Sequence, residues 1–299
     1  MNEGHIPRLS VGLPVFNGEC FIEQTIDSIL DQSYRDFELV ISDNCSTDRT
    51  REICEAYAQH DARIRYHRNS SNIGGPGNYN TVFRLSRGEL FKWASSSDIC
   101  GPDLFAKCIA ALDSDPGAVL AFPKTRLFET SIETYTDYDD RMNLSQTSAT
   151  ARMNALLENL RLNNVMNGVI RRSVLLRTKL HRSFLSSDGI LLAELLLRGR
   201  FTPVDGVYFY RRMTPEATVN LRSEDGLLQF WAPGRRTALR FQHWQYLIAL
   251  AESVLRAHPG VKETTLATLS VMRRFVWKRR ELLHELFEFG SLQSRVRAP

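Results

Sequence analysis

Polar residues that could bind a ligand are concentrated in four short clusters within the first hundred residues. The clusters are residues 14–19 (PVFNGE), 43–48 (DNCSTD), 72–80 (NIGGPGNYN) and 95–98 (SSSD). Their amides and carboxylates can exchange hydrogen bonds with a polar ligand, and a carboxylate such as Asp98 can hold a divalent cation. Asp98 is therefore a candidate metal ligand.

The segments around these clusters alternate between strand and helix patterns. Apolar runs predict strands at residues 9–16, 37–42, 64–67, 90–94 and 118–122, and helical periodicity predicts helices at 19–33, 46–60, 78–86 and 103–114. This alternation predicts an α/β fold with a mostly parallel, three-layer sheet. Since ligands bind beyond the carboxyl ends of parallel strands, we expect all four clusters at one edge of that sheet.

The second half of the chain has a different pattern. Residues 129–149 are polar and predict a mobile loop that contains three acids, Asp137, Asp139 and Asp140. Helix patterns follow at residues 150–161 and 189–198, and residues 201–211 have the pattern of a strand. From about residue 235 the chain is predicted to be helical, with a break at Pro259-Gly260.

Composition excludes several classes of protein. The 299 residues are 43% hydrophobic and 24% charged, as in an ordinary globular protein, and the net charge of +4 is too small to indicate nucleic-acid binding. The five cysteines form no CxxC pair, so reduced thiols are expected rather than a zinc site. Without an apolar run of about 18 residues or a signal-peptide core, we expect a cytoplasmic protein.

Taken together and in order, the four clusters resemble the donor-binding half of GT-A-fold, family-2-type glycosyltransferases. The segments that carry the resemblance are PVFNGE, SDNCSTD, NIGGPGNYN and SRGELFKWASSSD, which extend over roughly residues 8–128. Residues 184–212 resemble the acceptor-side helix and the following strand of the same family. The resemblance implies a GT-A fold and an inverting transfer of sugar from a nucleoside diphosphate sugar, with a UDP-sugar preferred, to an acceptor hydroxyl.

The resemblance also implies which residues hold the donor. They are Pro14, Val15, Phe16, Asn17, Asp43, Asn44, Asn78, Asn80, Ser97, Asp98 and Arg211. Asp43 would accept hydrogen bonds from a uracil N–H or from ribose hydroxyls, and capping of the next helix is its alternative role. Asn78 and Asn80 would bond the donor or the Asp43 loop, although residues at the start of a helix also serve as caps.

The metal site departs from the family pattern. The family usually has two or more acids at the end of the fourth strand, where this chain has Ser95, Ser96 and Ser97 before Asp98. Asp98 matches the last acid of that motif, so Mn²⁺ or Mg²⁺ is expected to be held weakly and mainly by the nucleotide diphosphate. The alternative is that Asp98 caps the helix that begins near Pro102.

Asp188 is the residue that the resemblance identifies as the catalytic base. It would take the proton from the acceptor hydroxyl as that oxygen attacks the anomeric carbon. Capping of the helix at 189–198 is the alternative, and Glu194, which can pair with Arg198, is a weaker candidate for the base. Arg211 or Arg212 would reach the diphosphate, unless the two form a solvated pair. The family often has a His shortly after this point, but Met213-Thr214 stands there, so no second metal ligand is expected.

The last helices are basic and amphipathic. Residues 235–299 contain twelve Lys or Arg and five acids, a local charge of +7. Three roles remain open for them: packing with a solvated basic face, peripheral contact with anionic lipid, or a homodimer interface. We therefore expect a donor-binding half at 1–128, an acceptor and catalytic half of the same domain at 129–230, and a helical extension at 231–299.

The functional prediction is a non-processive transferase, because the Q-x-x-R-W motif of processive synthases is absent. A glycan, a lipid-linked molecule or a small molecule would be the acceptor, and no nucleic acid is expected as a partner. The main alternative is a catalytically silent nucleotide-sugar-binding protein, which the loss of acids at Ser95 and Ser97 favours and the presence of Asp188 disfavours. A dinucleotide oxidoreductase is excluded because no G-x-G-x-x-G motif follows a strand.

Overall fold

The computed structural model describes residues 5–139, 144–215, 226, 230, 231, 233 and 240–296 of the chain. The strands are β1 (Leu9–Val15), β2 (Phe37–Asp43), β3 (Ile64–Arg68), β4 (Leu90–Trp93), β5 (Ile99–Cys100), β6 (Ala118–Phe128), β7 (Tyr135–Tyr138), β8 (Val169–Arg171) and β9 (Arg200–Arg212). The helices are α1 (Ile22–Leu30), α2 (Thr50–His60), α3 (Gly75–Leu85), α4 (Leu104–Ser114), α5 (Ala149–Asn159), α6 (Arg172–Leu175), α7 (Ser187–Leu196), α8 (Gln242–Ala257), α9 (Val261–Trp277) and α10 (Arg279–Val296).

One sheet runs through the first 212 residues. Its order is β3-β2-β1-β4-β8-β6-β9-β5, and β7 pairs with β6 outside this path. Strands β3, β2, β1 and β4 are parallel, as are β6 and β9, whereas β8 is antiparallel to both of its neighbours. Every residue of β1 and β2 is buried, as expected for strands covered on both faces. The α/β prediction is confirmed.

Parallel register aligns the strand ends that carry the first polar clusters. Val15 at the end of β1 is opposite Asp43 at the end of β2, and Asp43 is opposite Arg68 at the end of β3. The loop after β2 is tied back to β1 because the backbone N–H of Asn44 donates to the carbonyl of Val15 at 2.8 Å. The polar clusters therefore meet at one edge, as the sequence predicts.

Helices cover both faces of the sheet and form two apolar cores. One core combines side chains of α3, α5, α7, α8 and α9 with one face of the sheet, and the other combines α1, α2 and α4 with the opposite face. Helix α7 is buried along nearly its whole length, between α5 and α8. The C-terminal helices thus form a further layer over α7. Within the described residues, no helix is both long and apolar enough to cross a bilayer.

Local predictions differ from the structure at several helix ends and in two short strands, one of which is β5 (Ile99–Cys100). Helix α3 begins at Gly75 rather than at residue 78, because Pro76 occupies a first-turn position where a missing N–H costs nothing. The predicted loop at 129–149 contains strand β7, which pairs with the long β6 and whose side chains are exposed. Its exposed polar residues carry no apolar alternation, so the sequence pattern could not reveal it. Asp140 lies outside the described residues.

Candidate active site

Two cavities lie side by side at the edge where the polar clusters meet. The smaller, of about 200 Å³, is lined by residues that include Pro14, Val15, Phe16, Asn17, Asn44 and Asn78. The larger, of about 350 Å³, is lined by residues that include Ser97, Asp98, His181, Asp188 and Arg211. Tyr79, Ser95 and Phe230 line both cavities. Most of the predicted site residues are therefore brought together around one bipartite cleft.

The loops after β1 and β2 shape the smaller cavity by bonding to each other. Asn17 has a left-handed backbone (φ 51°), a conformation that asparagine tolerates, and its Oδ1 accepts from the Thr47 backbone N–H at 2.9 Å. Asn44 donates from Nδ2 to Asn72 Oδ1 at 2.8 Å, and its own Oδ1 accepts from the Ile73 N–H at 3.0 Å. These side chains hold three loops in one arrangement.

Asp43 lies beneath this cavity rather than in its wall. Its side chain has no exposed surface, and it forms a salt bridge of 2.8 Å with Arg68. The other contacts come from the Ser46 N–H and the Tyr66 hydroxyl, each at 2.8 Å. Burial, together with the hydrogen bond to Asp43, raises the pKa of Tyr66. A uracil or ribose contact was predicted for Asp43, whereas here both carboxylate oxygens already have protein partners and order the loop.

The two asparagines of α3 have different roles. Asn78 lines the smaller cavity and is also a structural link, because its Oδ1 accepts from Ser42 at 2.6 Å and its Nδ2 donates to the Ser42 carbonyl at 2.8 Å. Asn80, for which a donor contact is predicted, is engaged with a protein partner in this structure. Its amide exchanges two hydrogen bonds with the backbone of His181, at 2.8 and 3.0 Å, and it is not part of either cavity wall.

Arg212 holds Asp98 in the wall of the larger cavity. The backbone N–H of Arg212 donates to Asp98 Oδ1 at 2.9 Å, and its guanidinium donates to the Ser97 carbonyl at 2.9 Å. The same guanidinium lies over the rings of Phe21 and Phe128. Arg212 is therefore buried and structural, so the alternative of a solvated pair is wrong. Arg211 lines the cavity instead, where it donates to Asn164 Oδ1 at 2.7 Å.

Burial disfavours the ionised form of the Asp98 carboxyl group. Burial raises the pKa of Asp98 above its ordinary value, and the hydrogen bond from Arg212 and the charge of Arg211 only partly oppose this effect. A divalent cation would stabilise the ionised form. One carboxylate beside the hydroxyls of Ser95 and Ser97 is a set of hard oxygen donors, which suits Mg²⁺ or Mn²⁺ if phosphate oxygens supply further ligands. Among the described residues no group of three His, Cys, Asp or Glu side chains forms a complete metal site.

Asp188 lies in the first turn of α7 and faces the larger cavity. Ser186 occupies the N-cap position, so Asp188 is not the cap of this helix. Its Oδ2 accepts from Nδ2 of Asn163 at 2.7 Å, which fixes the direction of the carboxylate. Glu194 is buried two turns later and pairs with Arg198 at 3.1 Å. Since Glu194 is absent from the walls of both cavities, the geometry favours Asp188 as the base.

His181 is a site residue that the sequence reasoning missed. Its ring lies between Tyr79 and Trp93, with ring centres 5.0 and 4.9 Å away. Burial lowers the pKa of His181 to about 4, against the opposing charge of Asp188, so the ring is neutral at pH 7. No pattern around this residue could have singled it out. Arg68, also missed, stands at the end of β3, where the rule used for the other strand ends would have found it.

The low pKa of His181 gives a stability prediction. Between pH 6.5 and 4 the unfolded state binds a proton at His181 that the folded state rejects, so stability falls as pH falls through this window. Lowering the pH from 7.5 to 5 should cost about 2 kcal/mol through this group. In His181→Phe that loss should disappear, because the group that binds the proton is gone. The local structure should be retained, because Asn80 contacts the backbone of residue 181 and not its ring.

Urea unfolding of both proteins at the two pH values measures the difference. The same substitution at the exposed His60, at the end of α2, serves as the matched control and should leave the pH dependence of wild type in place. An identical pH dependence in His181→Phe and wild type would mean that His181 is charged or accessible in the folded protein.

Comparison with known proteins assigns this architecture. A family model described as glycosyl transferase family 2 matches residues 10–178, more than half of the chain. The GalNAc(5)-diNAcBac-PP-undecaprenol beta-1,3-glucosyltransferase of Campylobacter jejuni is 34% identical over 94 residues, which cover 31% of this chain and 30% of that protein. The match thus spans less than a third of the length of this curated relative.

Two groups of solved structures share the fold. The structure of Staphylococcus aureus TarS 1–349 in complex with UDP-GlcNAc superposes with a TM-score of 0.55 and 14% identity, covering 92% of each chain. The mannosyltransferase PcManGT from Pyrobaculum calidifontis, in complex with GDP-Man and Mn²⁺, superposes with a TM-score of 0.53 and 16% identity. That superposition covers 98% of this chain and 88% of PcManGT.

Proposed function

This chain belongs to glycosyl transferase family 2 and has a GT-A fold, and we propose that it transfers a sugar from a UDP-sugar to an acceptor hydroxyl, with inversion and one sugar at a time. The acceptor is a growing glycan, attached to a lipid in the proposed reaction. The names of the relatives support the choice of donor and the choice of acceptor. TarS is described in complex with UDP-GlcNAc, and the name of the Campylobacter relative includes an undecaprenol-linked substrate.

The observation that carries the proposal is the joined pair of cavities with a carboxylate in the larger one. The nucleotide occupies the smaller cavity, between the loops after β1 and β2 and the start of α3. The diphosphate passes Ser95 and lies near Arg211, so that the sugar reaches the larger cavity. Asp188 stands in the wall of that cavity, with its carboxylate oriented by Asn163.

The proposed reaction is a single displacement. Asp188 accepts the proton of the acceptor hydroxyl while the hydroxyl oxygen forms a bond to the anomeric carbon. The bond from that carbon to the diphosphate oxygen breaks on the opposite side, which inverts the configuration and releases UDP. Arg211 provides a fixed positive charge near the leaving diphosphate.

Asp98, with the hydroxyls of Ser95 and Ser97 beside it, would hold a divalent cation together with the diphosphate. When bound, Mg²⁺ or Mn²⁺ would supply charge compensation for the leaving group. Because this chain provides one carboxylate there, the metal depends on the nucleotide for its remaining ligands. The division into a donor half at 1–128, an acceptor half at 129–230 and a helical extension at 231–299 remains a prediction, as does a cytoplasmic location.

A catalytically silent nucleotide-sugar-binding protein remains the second candidate. The serines at positions 95 and 97 favour it, because they remove metal ligands that the family usually has. The position of Asp188 favours an enzyme, since a protein that only binds the donor needs no oriented carboxylate in the acceptor cavity.

Calorimetry with UDP tests the donor site. We expect UDP to bind, and we expect Asp43→Asn to weaken binding by about 1.5–3 kcal/mol, because the loop loses the charge that pairs with Arg68. Release of UDP from UDP-GlcNAc and UDP-glucose, against GDP-mannose as the unmatched donor, then tests the reaction.

A matched control is Glu55→Gln, which removes an acid from an exposed salt bridge with Arg51 and should leave UDP affinity unchanged. Absence of UDP binding, or an unaltered affinity in Asp43→Asn, would contradict the placement of the nucleotide. Binding of UDP without any release of UDP from its sugars would favour the silent binder.

A further inference from the structure

Helix α9 exposes an apolar face on the side away from the protein. Val261, Leu269, Met272 and Val276 recur at helical spacing and are 57–78% exposed. Side chains on the opposite side of the helix, such as Val271, are buried against the catalytic part of the chain. Four large apolar groups on one exposed stripe differ from the scattered apolar residues of an ordinary surface.

Helix α10 also exposes apolar side chains. Leu282 is buried against the protein, whereas Leu283, Leu286 and Phe287 are 47–74% exposed. We call the exposed apolar residues of the two helices the outer face, consisting of Val261, Leu269, Met272, Val276, Leu283, Leu286 and Phe287. Helix α9 ends at Trp277 and α10 begins at Arg279, so the two exposed sets of side chains are separated by a short break in the chain.

Between residues 261 and 287, basic and acidic side chains differ in their exposure to solvent. The exposed ones are all basic: Lys262, Arg273, Lys278, Arg279 and Arg280. The acids turn toward protein partners. Glu263 accepts from the Thr150 N–H at 2.7 Å, Glu285 contacts His243 at 2.9 Å, and Glu281 pairs with Lys278 at 3.0 Å. The outer face is therefore apolar and is flanked by an excess of positive charge, because only Lys278 among the five exposed basic residues pairs with one of these acids.

The combination of exposed apolar and basic side chains indicates what binds to the outer face. An amphipathic helix with apolar residues beside Lys and Arg binds at the interface of a bilayer that contains anionic lipid. Its apolar side chains are buried there, and its basic side chains are attracted to the anionic headgroups. A second copy of the chain would bury the same apolar residues but would bring two sets of five cations together, which is unfavourable. Charge complementarity therefore favours an anionic lipid surface over a homodimer.

We propose that the outer face of α9 and α10 binds the surface of a bilayer containing anionic phospholipid. Helix α9 packs on α5 and α8, and α8 packs on α7, whose first turn carries Asp188. The helices that would contact the membrane are therefore connected through α8 to the helix that carries Asp188. The use of a lipid-linked acceptor rests on the proposed function, whereas binding of the outer face to an anionic bilayer does not.

Vesicle sedimentation of the full chain tests the proposal without donor or acceptor. The protein should bind vesicles of phosphatidylcholine and phosphatidylglycerol and should bind pure phosphatidylcholine far more weakly, with the difference reduced by salt. In the triple variant Arg273→Gln, Arg279→Gln and Arg280→Gln, we expect binding to the anionic vesicles to fall by about 10²-fold. Met272→Ser with Val276→Ser should lower binding to both kinds of vesicle.

The control triple variant is Arg49→Gln, Arg51→Gln and Arg84→Gln, three exposed arginines on α2, α3 and the turn before α2. It removes the same charge elsewhere and should bind as wild type does. Equal loss in the two triple variants would mean that net charge, not this face, attracts the vesicles. A dimer in light scattering that Met272→Ser with Val276→Ser converts to monomer, in a protein that binds no vesicles, would overturn the proposal.

The two proposals can fail separately. Vesicle binding that persists in a chain without transferase activity would leave the membrane contact in place and contradict the proposed reaction. Transferase activity in a chain that binds no anionic vesicle would contradict the membrane contact alone. A normal melting temperature in each variant confirms that the exposed substitutions leave the fold intact.

Discussion

Replacement of Asp188 by Asn should lower turnover by roughly 10²–10⁴-fold while the protein folds and binds UDP as before. The amide has the size of the carboxylate and can still accept a hydrogen bond from Asn163, but it cannot take a proton from the acceptor hydroxyl. Asp188 Oδ1 accepts a hydrogen bond from the Gly189 backbone N–H at 2.9 Å, and because the amide of Asn keeps an oxygen there, the start of α7 should be preserved. Release of UDP with an acceptor, or donor hydrolysis, gives the rate. Calorimetry gives the affinity for UDP, and thermal melting gives the stability of the fold.

The matched control for this variant is Glu52→Gln. Glu52 also lies in the first turn of a helix, but its side chain is 75% exposed and is not part of the wall of either cavity. It should leave turnover unchanged. A near-wild-type rate for Asp188→Asn would show that Asp188 only shapes the start of α7. The base would then have to be sought among the other acids near the cleft.

Asp98→Asn should remove the contribution of Mn²⁺ to both UDP binding and turnover. Asp98 is the one carboxylate predicted to hold the metal, and its loss should lower the metal-dependent rate by roughly 10²-fold, about 2.7 kcal/mol of transition-state stabilisation. The amide retains an oxygen for the Arg212 N–H, so the wall of the cavity should keep its shape. Titration of Mn²⁺ into the free protein and into the UDP complex measures the effect on binding.

In the wild-type protein we expect Mn²⁺ to bind only together with UDP. Asp103→Asn, an exposed residue just before α4, removes an equal charge near the same strand and should behave as wild type. Tight binding of Mn²⁺ to the free protein that survives Asp98→Asn would reveal other ligands. A rate that depends on Mn²⁺ equally in both proteins would remove Asp98 from the reaction.

Local patterns in the sequence predicted which polar residues come together at one edge of the sheet. The apolar runs of β1 and β2 have no polar interruption, and the polar clusters begin where each run ends. Because parallel strands end at a common edge, this pattern alone placed Asn17, Asn44 and Asp98 near one another. The same reasoning could not find β7, whose paired backbone lies at an exposed edge with no apolar alternation.

The partners of individual side chains could not be predicted in the same way. Asp43 was expected to face the nucleotide, but Arg68 and Tyr66, which come from the neighbouring strand, occupy its carboxylate. Asn80 was expected near the donor, but it binds the backbone of His181, 101 residues later in the chain. In each case a residue type suited to a ligand is equally suited to a protein partner.

Local sequence was enough to predict the strands with apolar runs, β1, β2, β3, β4, β6 and β9, and the polar residues that follow the first four of them, because these features depend on neighbours a few residues away. Tertiary structure alone decided that Arg212 is buried beneath Asp98 while Arg211 lines the cavity, and that the neutral His181 lies beside Asp188. Those choices depend on which distant side chains meet when the sheet and helices pack. Burial and pairing at such contacts set the charge and direction of each group, and no local pattern records them.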